Sequence, residues 1–366
     1  MSDDAAKKQA LDAPIQTRQG EELDTMRLAD YLSQHIKGMT GLLDIHQFPS
    51  GFSNLTYMLT ANVHGERIEY VLRRPPVGAN IKSAHDMERE YKVLHALRTA
   101  YPKVPSPLVY CDDIGVLGAP FYVMERVQGV ILRSKKPDAL DLSAPVMKRL
   151  STLLVDNLAA LHAVDISTPE LQALGKPDGY VRRQVEGWIK RYENAKTDEI
   201  PGMDSVAEWL LANIPETTST PTLIHNDYKY DNVVFTTDLS AISAVLDWEM
   251  ATIGDPLMDL GTTLGYWAEE NDPMPLKMFG LTSIEGNLNR EEVVARYADK
   301  TGCDVSDIVF YYVFGLLKIV VIAQQIYARF KLGYTKDPRF GSLIFVVQAG
   351  ADMAYKALQS GKIRVF

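Results

Sequence analysis

At 366 residues the chain can bury a large core and exceeds the size at which a single core keeps growing, so two lobes with a cleft are expected. Hydrophobic residues make up 46% and charged residues 23%, as in soluble globular chains, and a net charge of −9 argues against a nucleic-acid binder. Cys111 and Cys303 stand far apart in no metal or redox spacing, which points to a reducing, cytoplasmic setting.

Residues 1–24 are polar and mixed in charge with no apolar signal segment, and read as a flexible tail. A small mixed lobe is expected over 25–127. Tyr57–Ala61 and Ile68–Leu72 read as strands joined through the turn His64-Gly65. A helix begins near Ser83, an N-cap with Asp86 three residues on, and places Met87, Tyr91, Leu94 and Leu97 on one face before Pro102 closes it. Phe121–Val127 reads as a further strand, and Gln128-Gly129 leads out. The larger, mostly helical lobe is expected over 128–366, with a long helix from Val146 through Leu150, Leu153, Leu154, Leu158 and Leu161. Thr222–Ile224, Val233–Phe235 and Ala244–Leu246 are short buried strands, the last two separated by the turn Thr236-Thr237-Asp238. The apolar stretch Ile308–Ala328 holds Gly315, Lys318, Gln324 and Gln325, which hydrocarbon would not tolerate, so it reads as a buried helix.

The most informative segment is His225-Asn226-Asp227-Tyr228-Lys229-Tyr230-Asp231-Asn232, followed fifteen residues later by Asp247. Strand, loop and strand bring three oxygen-bearing side chains together in the pattern phosphoryl transfer requires. Asp227 is the candidate base and orienter of a hydroxyl; Asn232 and Asp247 suit a hard Mg²⁺ ion. Lys229 is placed to neutralise charge on the transferred group, and His225 to brace the loop. Asp259 reads as structural. Upstream, Pro49–Asn54 lies between the first two strands, where Ser50, Gly51, Ser53 and Asn54 are candidate phosphate contacts, although only one Gly is present. Arg73 ends a strand where kinases carry a nucleotide-binding Lys, and its planar fork makes the geometry different. Arg74 points the other way and reads as a solvated edge residue. Glu90, at the rim of its helix face, reaches toward Arg73, while Glu88 reads as solvent-facing. Glu125 and Val127 complete the nucleotide-binding set.

Only eleven residues separate Asp247 from Asp259, with Trp248-Glu249 where protein kinases have Phe-Gly, which leaves little room for a peptide-docking loop and favours a small-molecule hydroxyl. Glu269, Glu270 and Asp272 could line a pocket for a polycation. Arg182, Arg183, Lys190 and Arg191 either meet an anionic substrate or form the solvated face of a helix around Trp188. No GxGxxG fingerprint follows any predicted strand, which argues against a dinucleotide-dependent dehydrogenase.

HNDYKYDN together with VLDWEMATIGDPLMDLG resembles the aminoglycoside phosphotransferase family. The similarity runs from about residue 25 to near the end, through PSGFSNLTYML, YVLRRPP, MEREYKVLHAL and APFYVMERVQG. It implies an α+β, bilobal protein-kinase-like fold: a small N-lobe with an antiparallel sheet plus one helix, and a larger, mostly helical C-lobe. LRRPP and SAHDMEREYKVL are most similar to the kinase-like domain found alone in bacteria and fused to acyl-CoA dehydrogenases in animals. The resemblance implies Mg²⁺-dependent transfer of the γ-phosphate of ATP (or GTP) to a small molecule, such as a hydroxyacyl-CoA or related metabolite, and a Glu90–Arg73 pair. An aminoglycoside kinase and a nucleotide-binding module without turnover remain as alternatives. No nucleic-acid or membrane partner is expected, and the oligomeric state is left open.

Overall fold

Alternation of apolar residues along Leu55, Tyr57, Leu59 and Ala61, and along Tyr70 and Leu72, makes one face of a sheet that must be covered. In the computed structural model, which describes residues 14–49, 54–76, 86–216, 219–335 and 337–366, two compact units are present: Met1–Ile131 with Val234–Glu249, and Leu132–Val233 with Met250–Phe366. In the first unit, β1 (Met39–Gln47), β2 (Leu55–Val63), β3 (Glu66–Arg74), β4 (Pro107–Cys111) and β5 (Phe121–Glu125) form an antiparallel sheet in the order β1-β2-β3-β5-β4. The β2–β3 register closes at Val63 opposite Glu66, so His64 and Gly65 take up the turn, both at positive φ (53° and 85°). Helix α1 (Thr25–His35), capped by Asp24, lays Leu28 and Leu32 on the apolar face. Helix α2 (Met87–Ala100) packs against β4 and β5.

Several expectations change here. The small unit has two long helices, α1 and α2, where one was expected. Ser83 lies outside the described residues, and the described helix starts at Met87 with Asp86 as its N-cap, accepting from the Arg89 amide. Glu90 takes the buried place on that helix, and Tyr91 is only half-buried. Arg74 is buried, 7% exposed, because its face of the sheet is the one covered by the chain before β1. The described part of the expected tail, 14–24, is bound: Ile15 exchanges both backbone hydrogen bonds with Gln47 on the edge strand, and the Tyr57 hydroxyl donates to the Glu21 carbonyl at 2.7 Å. Residues 1–13 of that tail lie outside the described residues.

The boundary expected at 127/128 also moves, because the first unit takes back a later segment. Val130 and Ile131 pair with Phe235 and Val234, the Val245 amide donates to the Lys103 carbonyl at 2.8 Å, and Trp248 packs edge-on to Tyr101 at 5.9 Å. Asp247 therefore belongs to the first unit, with Arg73 and Glu90.

The second unit is mostly helical, built from α3 (Ala144–His162), α4 (Tyr180–Ala195), α5 (Met203–Ala212), α6 (Pro256–Tyr266), α7 (Arg290–Thr301), α8 (Ile308–Lys331) and α9 (Leu343–Ser360). A two-stranded antiparallel ribbon pairs Thr222–Ile224 with Thr252–Gly254. Helix α8 is long and apolar enough to cross a membrane by length and composition, yet 78% of its apolar window is buried inside the fold, against α4, α6 and α9. Every residue of α6 is buried. It crosses α8 backbone to backbone: a methyl on Gly261 would overlap the Tyr311 carbonyl, and one on Gly315 the Gly261 carbonyl. Gly187 in α4 has nothing within 4 Å of such a methyl. Gly261→Ala is therefore expected to destabilise by about 1–3 kcal/mol through overpacking against backbone, while Gly187→Ala stabilises by about 0.5–1 kcal/mol through helix propensity; urea unfolding of both variants measures the opposite signs.

Candidate functional site

In the second unit the strand Thr222–Ile224 delivers the loop His225–Asn232. Asp259, in the first turn of α6 and fully buried, accepts from the backbone amides of His225 (2.6 Å) and Asn226 (2.7 Å), and its Oδ2 lies 3.1 Å from the His162 ring. Asn226 sits in the left-handed region (φ 66°), which Asn tolerates better than most residues. Its side-chain amide donates to the Tyr180 hydroxyl and the Met250 carbonyl, both at 3.1 Å. The Asp227 amide donates to His225 Nδ1 at 3.2 Å, so His225 braces the loop.

The Asp227 carboxylate is gripped by Lys229 Nζ at 2.8 and 2.7 Å and by the Asn232 amide at 2.7 Å, and Asn232 also donates to the Asp227 carbonyl at 2.8 Å. Burial pushes this carboxyl up, but the Lys229 ammonium, with His225 and Lys318 behind it, brings it below the ordinary Asp range. Asp227 is thus ionised at neutral pH and able to accept a proton or hydrogen bond. Because the Asn232 nitrogen is spent on Asp227, its amide oxygen is the atom left for a hard cation. The Lys229 ammonium also lies 4.5 Å over the Tyr266 ring, beside a hollow lined by Leu154, Lys229, Tyr266, Trp267, Phe279 and Thr282.

The first unit holds the other half of the predicted set. Arg73 donates to Glu90 Oε1 at 2.5 Å and to Asp247 Oδ1 at 3.1 and 3.0 Å, and it lies 4.0 Å from Glu249 Oε2. Burial alone would weaken the guanidinium's hold on its proton; Glu90 first, then Tyr122 and Asp247, drive its pKa well above the ordinary value. Burial pushes the Glu90 carboxyl up while Arg73 pulls it down. Burial wins, and the Glu90 carboxyl rises to about 7, while the guanidinium keeps its charge in a short charge-assisted contact. Asp247, like Asn226, sits at φ 66°. Asn54 is buried and donates to Glu249 Oε2 at 3.0 Å, while Arg89 donates to the Glu249 carbonyl at 2.7 Å. Ser50, Gly51 and Ser53 lie outside the described residues. Glu125 is exposed at the end of β5, its amide donating to the Ser106 carbonyl, and Val127 is half-buried in the connection that follows.

Two proposed charge clusters do not form. Glu269 and Asp272 are paired with Arg290, itself 1% exposed, and Glu269 also with Arg364 at 2.7 Å, so they offer no open acidic lining; Glu270 is exposed. Arg183 turns back to the carbonyls of Lys176 and Asp178, Arg182 faces Glu186 at 3.8 Å on the surface, Arg191 lies 4.5 Å over Trp188, and Lys190 is exposed. These cations do not converge. Asn226, Glu249, Tyr266 and Lys318 were missed as site residues. For Asn226 the available signal was its tolerance of the left-handed region, and for Lys318 its cost inside an apolar run.

The profile of the phosphotransferase enzyme family (APH) matches residues 44–291. Acyl-CoA dehydrogenase family member 11 of Homo sapiens is 35% identical over 319 residues, which cover 85% of this chain and 40% of that protein, so this chain spans well under half of that relative's length. The expected likeness to the domain joined to acyl-CoA dehydrogenases is borne out by this match. A crystal structure from Ralstonia eutropha that carries a provisional aminoglycoside phosphotransferase name is 30% identical, with a TM-score of 0.78 over 93% of this chain and 99% of its own. An aminoglycoside phosphotransferase solved with streptomycin and ATP shares the fold at 17% identity, with a TM-score of 0.54 over 91% of this chain and 99% of its own. With the family profile spanning both the Arg73 cluster and the Asp227 loop, the chain belongs to the phosphotransferase enzyme family and has its kinase-like α+β fold.

Proposed function

We propose that the chain transfers the γ-phosphate of ATP, with GTP as the other nucleotide to test, to the hydroxyl of a small metabolite in the cytoplasm, and that the acceptor is a hydroxyacyl-CoA or a related hydroxylated acid. The observation that carries this reading is the half-buried, ionised Asp227 carboxylate held by Lys229 and Asn232 in a loop pinned by Asp259. Asp227 would accept the hydrogen of the substrate hydroxyl and aim its oxygen, and Lys229 would offset charge on the transferred group. The Asn232 amide oxygen and the Asp247 carboxylate are the hard oxygen ligands that would hold Mg²⁺. The ion, when bound, would neutralise charge on the phosphates. Arg73, positioned by Glu90, would contact phosphate oxygens, with Ser50, Gly51, Ser53 and Asn54 in the covering loop and the backbone at Glu125 and Val127 for the base. ATP as donor is supported by the ATP complex of the fold neighbour.

For the acceptor, the neutralised Glu269 and Asp272 leave little to attract a polycationic antibiotic. The acyl-CoA dehydrogenase name of the human relative supports an acyl thioester class. Two free thiols agree with a reducing compartment.

A panel of hydroxyacyl-CoAs, free hydroxy acids and kanamycin-type aminoglycosides, assayed for Mg²⁺-dependent transfer from γ-labelled ATP, tests the reading; transfer to aminoglycosides alone would overturn the acceptor class. Asp227→Asn is expected to lower kcat on the order of 10³-fold while the melting temperature stays within a few degrees. The acid limb of kcat that reports Asp227 should lie below the ordinary carboxylate range, since Lys229 holds the folded-state pKa of Asp227 under its usual value, whereas the KM for ATP should respond to Glu90 near pH 7. Glu90→Ala, which removes the enclosed partner of Arg73 and leaves Asp247 on it, should raise the KM for ATP about tenfold and cost about 1–3 kcal/mol in stability, against about 0.5 kcal/mol for Glu88→Ala in its exposed pair with Lys92; unchanged ATP kinetics would remove Glu90 from the site.

A further inference from the structure

Lys318 occupies the middle of α8 and is 2% exposed among Leu316, Leu317, Ile319 and Val320. An ammonium there is costly unless its hydrogens are satisfied. It forms no ion pair among the described residues. Its bonds go to the Asn226 carbonyl at 2.5 Å and the Asn226 side-chain oxygen at 3.5 Å, and the Trp188 ring lies 5.7 Å away. The partner is therefore one residue of the phosphotransfer loop, 92 positions earlier in the chain, and not the helix that carries the lysine.

The carbonyl it grips belongs to the peptide plane shared by Asn226 and Asp227. That plane is rigid, and its other end, the Asp227 amide, donates to His225 Nδ1 at 3.2 Å. Held at both ends, the plane has one orientation, and it fixes the direction in which the Asp227 side chain leaves the backbone. Asn226 is in the left-handed region, which an Asn leaves readily if unrestrained. We propose that Lys318 is a positioning residue for the proposed phosphotransfer, its ammonium locking the Asn226–Asp227 peptide and so aiming the Asp227 carboxylate at the acceptor hydroxyl. The inference rests on the phosphotransferase reading of that loop.

The charged groups facing Lys318 are Asp227 and Asp259, which favour its protonated form, and Lys229 and Arg191, which oppose it. Burial outweighs them and lowers its pKa to about 8. The lysine thus loses its charge, and with it part of its grip on the carbonyl, across a mildly alkaline range where Arg in its place would not.

The test compares the full-length chain with Lys318→Met, Lys318→Gln and Lys318→Arg. Lys318→Met is expected to lower kcat on the order of 10- to 100-fold, as small misplacements of a reacting group do, with the KM for ATP within about twofold. Wild type should show an alkaline fall in kcat centred near pH 8 that Lys318→Met and Lys318→Arg both lack, with Lys318→Arg recovering part of the rate. Hydrogen exchange at residues 226–232 should rise in Lys318→Met and return toward wild type in Lys318→Gln, whose neutral amide can still donate. Equal exchange in wild type and Lys318→Met, or a kcat unchanged by that substitution, overturns the proposal. If Lys318→Met does not fold, the pH profile decides it: an alkaline fall in kcat near pH 8 in wild type that Lys318→Arg lacks supports the proposal, and the same fall in both overturns it. Should wild type transfer phosphate to no acceptor, the functional reading falls, and the exchange experiment still judges whether Lys318 holds the loop.

Discussion

A single buried carboxylate, that of Asp259, organises the second unit's chemistry. It sits in the first turn of α6, behind an N-cap supplied by Asp255, whose side chain accepts from the Leu257 amide at 2.8 Å. There it takes hydrogen bonds from two successive loop amides. Burial pushes its carboxyl up, and the His162 and His225 side more than offsets this, so it remains an acceptor. Satisfying the amides of His225 and Asn226 from one side chain makes the left-handed turn at Asn226 affordable and sends Asp227 outward from a fixed base. The close crossing of α6 and α8 joins this device to a second one. Gly261 lies two residues beyond Asp259 and Gly315 three residues before Lys318, so the glycine contact that lets the two backbones touch also brings an acid and an ammonium to the same loop. Helix packing and site geometry are one constraint in this region.

How much of this was legible in the sequence follows from the range of each interaction. The strands Thr222–Ile224 and Val233–Phe235 have the boundaries that local apolar runs and turn residues indicate, since burial on both sides leaves a continuous apolar signature. β1 gave no such signature. Its burial is irregular, with register shifts near Gly41 and Asp44, so neither alternation nor a hydrophobic run marks it. The return of Val234–Glu249 to the first unit depends on pairing with Val130 and Ile131 about a hundred residues earlier, which no local window contains. The same holds at the site. Asp227, Lys229 and Asn232 meet within one loop, and their spacing was enough to find them. Arg73 with Glu90 came through the family resemblance, because helix periodicity put Tyr91 in the buried place that Glu90 takes. The charge at Lys318 was visible as an anomaly in an apolar helix, but its partner was not, because a lysine in a sequence does not name the carbonyl it will reach.

In the first unit one guanidinium gathers several carboxylates. One guanidinium, Arg73, is surrounded by the carboxylates of Glu90, Asp247 and Glu249 at 2.5, 3.0 and 4.0 Å. A lysine would offer a compact point charge to one neighbour, whereas the planar fork reaches Glu90 and Asp247 together and holds the latter by a single oxygen, Oδ1. Glu90 is enclosed, whereas the Asp247 and Glu249 side chains are 33% and 25% exposed. Arg73 is thus the counter-ion that these carboxylates share, and its contacts to Glu90 and Asp247 fix the plane of its fork.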